Sequence, residues 1–390
     1  MSLSVQTPLK GEITQPGKKI LFFASADWFF CSHFLERAIS ARRAGFDVLV
    51  ITNVDQHSNK ILEAQLRLFH IPMRRRSLNP FAAAITLLRV LFVLYKERPD
   101  LIHNIAIKPI LIGSLASRIF GCREVVNAII GGGYAFTSMD LIAKIIRPIL
   151  VLSMRALLNP VGSRVVFENR DDLLEFVQKG IVRQEDSVLI RGAGVDPKKF
   201  KAPEGLDEPP IVILGARLLW DKGIGEFVSA AKFLRQRGVK ARFVIVGQRD
   251  IDNRACIDAT TLDTWGRDGS VEFWGFRDDM PQVLSQASIA CLPSYREGLP
   301  KFLLESMAAS LPCVTSDVPG CREAVRDGDN GYLVPARNAV ALADALEILL
   351  LNPTLSKVMG ERGRSRIETE FSARTVNEQT LSLYREMLAN

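Results

Sequence analysis

IVILGARLLWDKGIGEF, residues 211–227, reads as three pieces in order. Ile211–Leu214 is apolar without alternation, the pattern of a strand covered on both faces. A loop holding Arg217 and Lys222 follows, and a helical pattern begins near Gly225. Strand, loop and helix in that order form the repeating unit of a parallel α/β sheet. Similar apolar runs recur on both sides of this one. Before it lie KKILFFAS (18–25), DVLVIT (47–52), LIHNI (101–105), EVVNAII (124–130), RVVFEN (164–169) and SVLIRG (187–192). After it come RFVIVG (242–247), VEFWG (271–275), SIACLPS (288–294), PCVTSD (312–317) and GYLVP (331–335). Each half therefore carries the strands of its own doubly wound sheet.

A chain of 390 residues exceeds what one hydrophobic core organises. FKAPEGLDEPP (200–210), rich in proline, glycine and acid, reads as the linker between two domains. The expectation is an α/β protein of two Rossmann-like doubly wound domains facing across a cleft. Its parts are a flexible tail at 1–17, an N-terminal domain at 18–200, a C-terminal domain at 201–371, and a last helix at 372–390 packing back on the N-terminal domain.

With 47% apolar and 24% charged residues the chain is globular, and a net charge of +7 points to an anionic partner. Cys31, Cys122, Cys256, Cys291, Cys313 and Cys321 show no metal-binding spacing, and several sit in strand-like runs, as free thiols of a reducing compartment do. MSLSVQTPLKGEITQPG (1–17) lacks the apolar core of a signal peptide. A cytoplasmic location is expected, with the inner face of a membrane as the alternative. That alternative comes from FAAAITLLRVLFVLYKERP (81–99) and LIAKIIRPILVLSMRALLNP (141–160), apolar stretches broken by Arg89, Lys144, Arg147 and Arg155. Charges at those intervals argue against a bilayer span. The stretches are either ordinary sheet-covering helices or, for the second more than the first, a helix lying on an anionic surface near MRRR (73–76).

The chemistry concentrates after two strands. In PSYREGLPKFLLESMAASLPCVTSD (293–317), Glu297 precedes a helix opened by Gly298, Leu299, Pro300 and Lys301, and Glu305 lies inside it. A helix start offers free N–H groups and positive potential to phosphate. Carboxylates accept hydrogen bonds from vicinal hydroxyls. Arg217 and Lys222 follow another strand end and suit a diphosphate. A nucleotide diphosphate sugar uses all of these groups. A glutamate pair in general is a solvated helix face, and it is the position at a strand's carboxyl end that points to a ligand.

EGLPKFLLE is similar to the E-x7-E signature of the retaining glycosyltransferases of family 4, which have the GT-B fold. RLLWDKGIGEFVSAA (217–231), FENRDDLLEF (167–176), RGAGVDPKKF (191–200), VEFWGFRDDMPQVLSQA (271–287) and DVPGCREAVRDGDNGYLVP (317–335) resemble further blocks of that family, in order. The resemblance implies that Arg217 and Lys222 neutralise the diphosphate, Glu305 holds the ribose, and Glu297 meets the donor sugar. It also implies that the backbone of Gly298–Phe302 joins the phosphate site and that Phe276–Arg277 lies near the base. In the N-terminal half, ADWFFCSHF with His33, IKP with Lys108, and NAIIGGGYAF with Gly131, Gly132 and Gly133 resemble a subgroup that acts on lipid-linked or polysaccharide-precursor acceptors. Where many members carry a histidine, this chain has Ala128, Ile129 and Ile130, so His33 or His103 is expected to supply that contact. His57 and His70 are incidental.

The implied activity moves a hexose or N-acetylhexosamine from a UDP-sugar with retention, without a metal cofactor and without nucleic acid. The departing phosphate takes the acceptor's proton in a same-face mechanism. Asp250-Ile251-Asp252 is a D-x-D without a histidine or further carboxylate beside it, so a metal is not expected there. The alternatives are a nucleotide-sugar epimerase, a phosphorylase, or a non-catalytic nucleotide-sugar-binding protein. A dinucleotide oxidoreductase fits poorly, because SADWFF follows the first strand where that fold needs glycines.

Overall fold

The structure is a computed structural model that describes residues 5–6, 17–73, 79–131, 141–203, 209–251, 253 and 255–389, with 5–6 and 141–146 described by their backbone. The chain divides into two compact units, Met1–Ala193 with Val376–Asn390, and Gly194–Thr375. The division falls earlier than the expected residue 200. The reason is a backbone ladder: Val195 N donates to Phe371 O at 3.0 Å and Ala373 N to Val195 O at 2.9 Å. Val195 and Phe200 are buried in the second unit's core. Of the expected linker, residues 204–208 lie outside the described residues.

The first unit's sheet contains β1 (Val5–Gln6), β2 (Lys19–Phe23), β3 (Asp47–Thr52), β4 (Arg67–His70), β5 (Leu101–Ile105), β6 (Glu124–Ile129), β7 (Ser163–Phe167) and β8 (Ser187–Leu189), in the order β1-β4-β3-β2-β5-β6-β7-β8. All neighbouring pairs are parallel except β1 with β4. This corrects the reading of 1–17 as wholly a loose tail. Strand β4 would otherwise end the sheet with unpaired amides and carbonyls, and Val5–Gln6 occupy that edge.

Alternation along β2 feeds two cores. Ile20 and Phe22 pack with Phe30, Phe34 and α6 (Ala373–Ala389), whereas Leu21 and Phe23 pack under α1 (Pro80–Glu97) and α2 (Ile107–Phe120). Helix α3 (Leu141–Leu158) lies beside α2 and covers β7. Helix α1 starts at Asn79, whose Oδ1 accepts from Phe81 N at 2.9 Å, and has proline in its first turn, where a missing N–H costs nothing.

The second unit's sheet is fully parallel: β9 (Ile211–Gly215), β10 (Arg242–Val246), β11 (Glu272–Gly275), β12 (Ile289–Leu292), β13 (Cys313–Ser316) and β14 (Gly331–Val334), ordered β11-β10-β9-β12-β13-β14. Apolar clusters cover both faces. Helices α4 (Ile224–Gln236) and α5 (Lys301–Ala308) follow β9 and β12. The strand order reverses between β9 and β12, and in the first unit between β2 and β5. Parallel α/β sheets bind ligands at the carboxyl side of such a point.

At the first unit's reversal, Ala106 links β5 to α2 with φ 70° and ψ 163°, a conformation that suits glycine and costs a β-carbon about 1–3 kcal/mol. Replacing Ala106 with glycine is therefore expected to leave the melting temperature equal or higher, and Ala106→Val to lower it. Thermal unfolding of the two variants checks this.

Candidate active site

The loop leaving β9 carries Arg217 and a single 3-10 turn, Trp220–Lys222, before Gly223 caps α4 in the left-handed region at φ 69°. A β-carbon on Gly223 would collide with the carbonyl oxygen of Pro293, so only glycine lets this loop approach the one that leaves β12. Tyr295 N donates to Asp221 O at 2.9 Å across the same contact. Two strand-end loops are thus laced together by their backbones at the reversal point.

Their side chains complete the lacing. Lys222 Nζ lies 2.5 Å from Glu297 Oε1, and Ser294 Oγ donates to the same oxygen at 2.7 Å. Both ion-pair partners are largely buried, at 18% and 13% side-chain exposure. Tyr295 Oη donates to Glu226 Oε1 at 2.8 Å in the first turn of α4, and the Arg337 guanidinium sits 4.3 Å from the centre of the Tyr295 ring. Burial, and then Glu226, push the Tyr295 phenol up to about 12, so it remains a donor. Arg217 Nη1 pairs with Asp250 Oδ2 at 2.5 Å. Asp250 is therefore committed to the arginine. Asp252, the other half of the D-x-D, lies outside the described residues, and among the described residues no three His, Cys, Asp or Glu side chains cluster as metal ligands would.

Helix α5 begins at Lys301 with Pro300 as its N-cap, one position outside the first turn in which the sequence placed it. Gly320 (φ 78°) has no room for a β-carbon against the carbonyl of Gly298, which fixes the entry to the helix. Leu299 and Phe302 are core side chains, 5% and 8% exposed, and the Phe302 ring covers Gly215. From these two residues only the backbone is available to a ligand. Glu305 Oε1 is 3.2 Å from Lys301 Nζ, and burial holds its carboxyl above the usual range despite that lysine. Phe276 is 62% exposed, whereas Arg277 is held by Asp279 through contacts of 2.7 and 2.5 Å.

The first-unit candidates separate into different environments. Lys108 is half-buried at the start of α2, and desolvation lowers its pKa. His33 is half-buried and stacks on Phe29 with ring centres 4.4 Å apart. Gly131 follows β6 at φ 65°, and Gly132 and Gly133 lie outside the described residues. His103 is a correction. It is 1% exposed, with Nδ1 2.6 Å from Tyr384 Oη of α6, between Phe22 and Phe34. Burial, reinforced by Arg37, lowers its pKa to about 3, so it is a neutral core residue. Sequence reasoning did not assign Ser294, Tyr295, Glu226 or Arg337. Only Ser294, three residues before Glu297, had a spacing that pointed to the contact.

Residues 196–366 match the profile of the glycosyl transferases group 1, and residues 19–157 that of the glycosyl transferase 4-like domains. The chain belongs to the family-4 glycosyltransferases. This glycosyltransferase is 27% identical, over 88% of its length and 92% of the relative's, to the N,N'-diacetylbacillosaminyl-diphospho-undecaprenol alpha-1,3-N-acetylgalactosaminyltransferase of Campylobacter jejuni. It is 23% identical, over 88% and 90% of the two chains, to the UDP-Gal:alpha-D-GlcNAc-diphosphoundecaprenol alpha-1,3-galactosyltransferase of Escherichia coli. Its fold matches that of sucrose-phosphate synthase from Thermosynechococcus elongatus with a TM-score of 0.78, at 19% identity, over 95% and 99% of the two chains. Its two Rossmann-like units are those of the GT-B fold class.

Two outcomes follow from this geometry. A carboxyl whose pKa burial raises stabilises the fold fully below its unfolded value, and that contribution is lost as pH rises through the folded value. Glu305→Gln is therefore expected to raise the melting temperature at pH 8, with the gain vanishing toward about pH 4, where the glutamate is neutral too. Tyr295→Phe removes the bond to Glu226 while keeping the ring. It is expected to lower kcat about tenfold with KM for donor little changed, as for a positioning residue, and steady-state kinetics separate the two constants.

Proposed function

We propose that this glycosyltransferase moves a hexosyl or N-acetylhexosaminyl group from a UDP-sugar to a lipid-linked or glycan acceptor, with retention, in cell-surface polysaccharide or glycan biosynthesis. The observation that carries the reading is the meeting of Arg217, Lys222, Glu297 and the start of α5 at the reversal between β9 and β12. Transfer separates a diphosphate from a sugar that gathers positive charge, so the protein's task is to stabilise the leaving dianion. In this reading Arg217 and Lys222 exchange their carboxylate partners for phosphate oxygens, and no divalent ion is needed. Glu297, released from Lys222, accepts from donor-sugar hydroxyls. Glu305 accepts from the ribose, and the exposed Phe276 ring offers a stacking face to uracil.

The acceptor oxygen bonds to the anomeric carbon on the face from which the diphosphate departs. The carbon–oxygen bond to phosphate breaks as the new bond forms, and the acceptor's proton passes to the departing phosphate oxygen. The names of both bacterial relatives describe an α-linkage made onto a diphospho-undecaprenol-linked sugar, and one names a UDP-sugar donor, which supports this choice of substrates. Among the described residues no single helix is long and apolar enough to cross a membrane. The proposed setting is the cytoplasm or the inner face of the membrane.

A panel of UDP-, GDP- and ADP-sugars tests the reading by thermal shift and by hydrolysis of the donor. UDP-sugars are expected to stabilise the wild type, and Lys222→Ala to abolish the shift. Equal shifts from all three nucleotides, or an unchanged response in Lys222→Ala, would overturn it.

A further inference from the structure

Helix α1 has two faces of opposite environment. Thr86, Val90, Val93 and Leu94 are buried against the sheet. On the other side Phe81, Ile85, Leu88, Phe92 and Tyr95 are exposed by 78, 47, 65, 55 and 70%. Their spacing of four, three, four and three residues sets them in one stripe along the helix. An 18-residue helix runs about 27 Å, so the stripe is long as well as apolar. The neighbouring α2 extends it with Leu115 and Ile119, 38% and 59% exposed. Scattered exposed leucines are ordinary on soluble proteins, but a continuous stripe of large side chains implies something that covers it.

The charges state what kind of cover fits. Helices α1, α2 and α3 together contain seven lysine or arginine residues and one carboxylate, Glu97. Glu97 is 5% exposed and paired with Arg67 at 2.7 Å, so it does not reach the outer face. By helical angle, Arg89 and Lys96 lie along one edge of the stripe, and Arg98 closes the helix above the Tyr95 ring. A second copy docked on this face by a two-fold axis would bring like cations together. An anionic lipid surface takes the apolar stripe among its acyl chains and the flanking cations at its headgroups.

We infer that the outer face of α1, continued by α2, is the surface by which the first unit lies on an anionic bilayer. Of the two apolar stretches the sequence favoured the second, but its helix, α3, exposes only Ile149 and Leu152 as large apolar side chains among its described positions. The inference extends the reading of a lipid-linked acceptor without resting on it, because the α1 face lies outside the donor-site residues.

Flotation of the full chain with vesicles tests it. Wild type is expected to float with phosphatidylcholine–phosphatidylglycerol vesicles, less with phosphatidylcholine alone, and less as salt is added. L88E/F92E is expected to lower the bound fraction roughly tenfold while keeping the wild-type thermal shift with a UDP-sugar, and R89S/K96S to lose the preference for phosphatidylglycerol. I149E/L152E, on α3, is expected to bind as wild type does. Undiminished binding of L88E/F92E, or loss confined to I149E/L152E, would overturn the assignment. So would a lipid-free dimer, seen by light scattering, that L88E/F92E dissociates. If the vesicle result fails while the thermal shift persists, the membrane surface is wrong and the donor site stands.

Discussion

Two parallel strands, β9 and β12, lie side by side while the chain leaves them toward opposite edges of the sheet. Their outgoing connections run to opposite sides, so loops from both meet above their carboxyl ends. The ion pair between Lys222 and Glu297 closes that meeting, and Gly223 and Gly320 permit it by removing β-carbons where backbones touch. Helices α4 and α5 both begin at this edge, and their first N–H groups lack intrahelical acceptors. The site is a consequence of strand order before it is a consequence of any one side chain.

Three of the cations there already have an anion. Lys222 holds Glu297, Arg217 holds Asp250, and Lys301 holds Glu305. Partly buried charges are costly without partners, so Glu297 and Asp250 offset the cost of Lys222 and Arg217 before ligand arrives. A phosphate group that takes their place changes partners without leaving a bare charge behind. In the proposed reading that exchange also frees the carboxylates for hydroxyl groups on the same ligand.

Much of this was legible in the sequence because it depends on strand ends. Ile211–Leu214 and Ile289–Leu292 are apolar throughout, so the residues that follow them could be placed at a carboxyl edge without coordinates. Side-chain pairing was not legible. Asp250 read as half of a D-x-D at which no metal was expected, and no partner for it could be named, whereas it pairs with an arginine 33 residues earlier. His103 was misplaced for a related reason: its partner, Tyr384, is 281 residues away in a helix whose docking no local pattern reveals. Strands β1 and β4, of two and four residues, are too short to show a period. The sequence also favoured α3 over α1 as a membrane face, since apolar content does not show which side chains packing leaves outside.

The return of α6 to the first unit has a consequence for synthesis. Val376, Tyr384 and Met387 fill a core opened by Ile20, Phe22 and Phe34, so that core needs both ends of the chain. A ribosome adds about 5–20 residues per second, so the whole of Gly194–Thr375 emerges over roughly ten to forty seconds before the missing piece exists. During that interval the nascent first unit shows unfinished apolar surface, which makes it a natural client for chaperones. A premature stop just after Thr375 would leave the second unit's residues whole and deprive the first of Val376, Tyr384 and Met387.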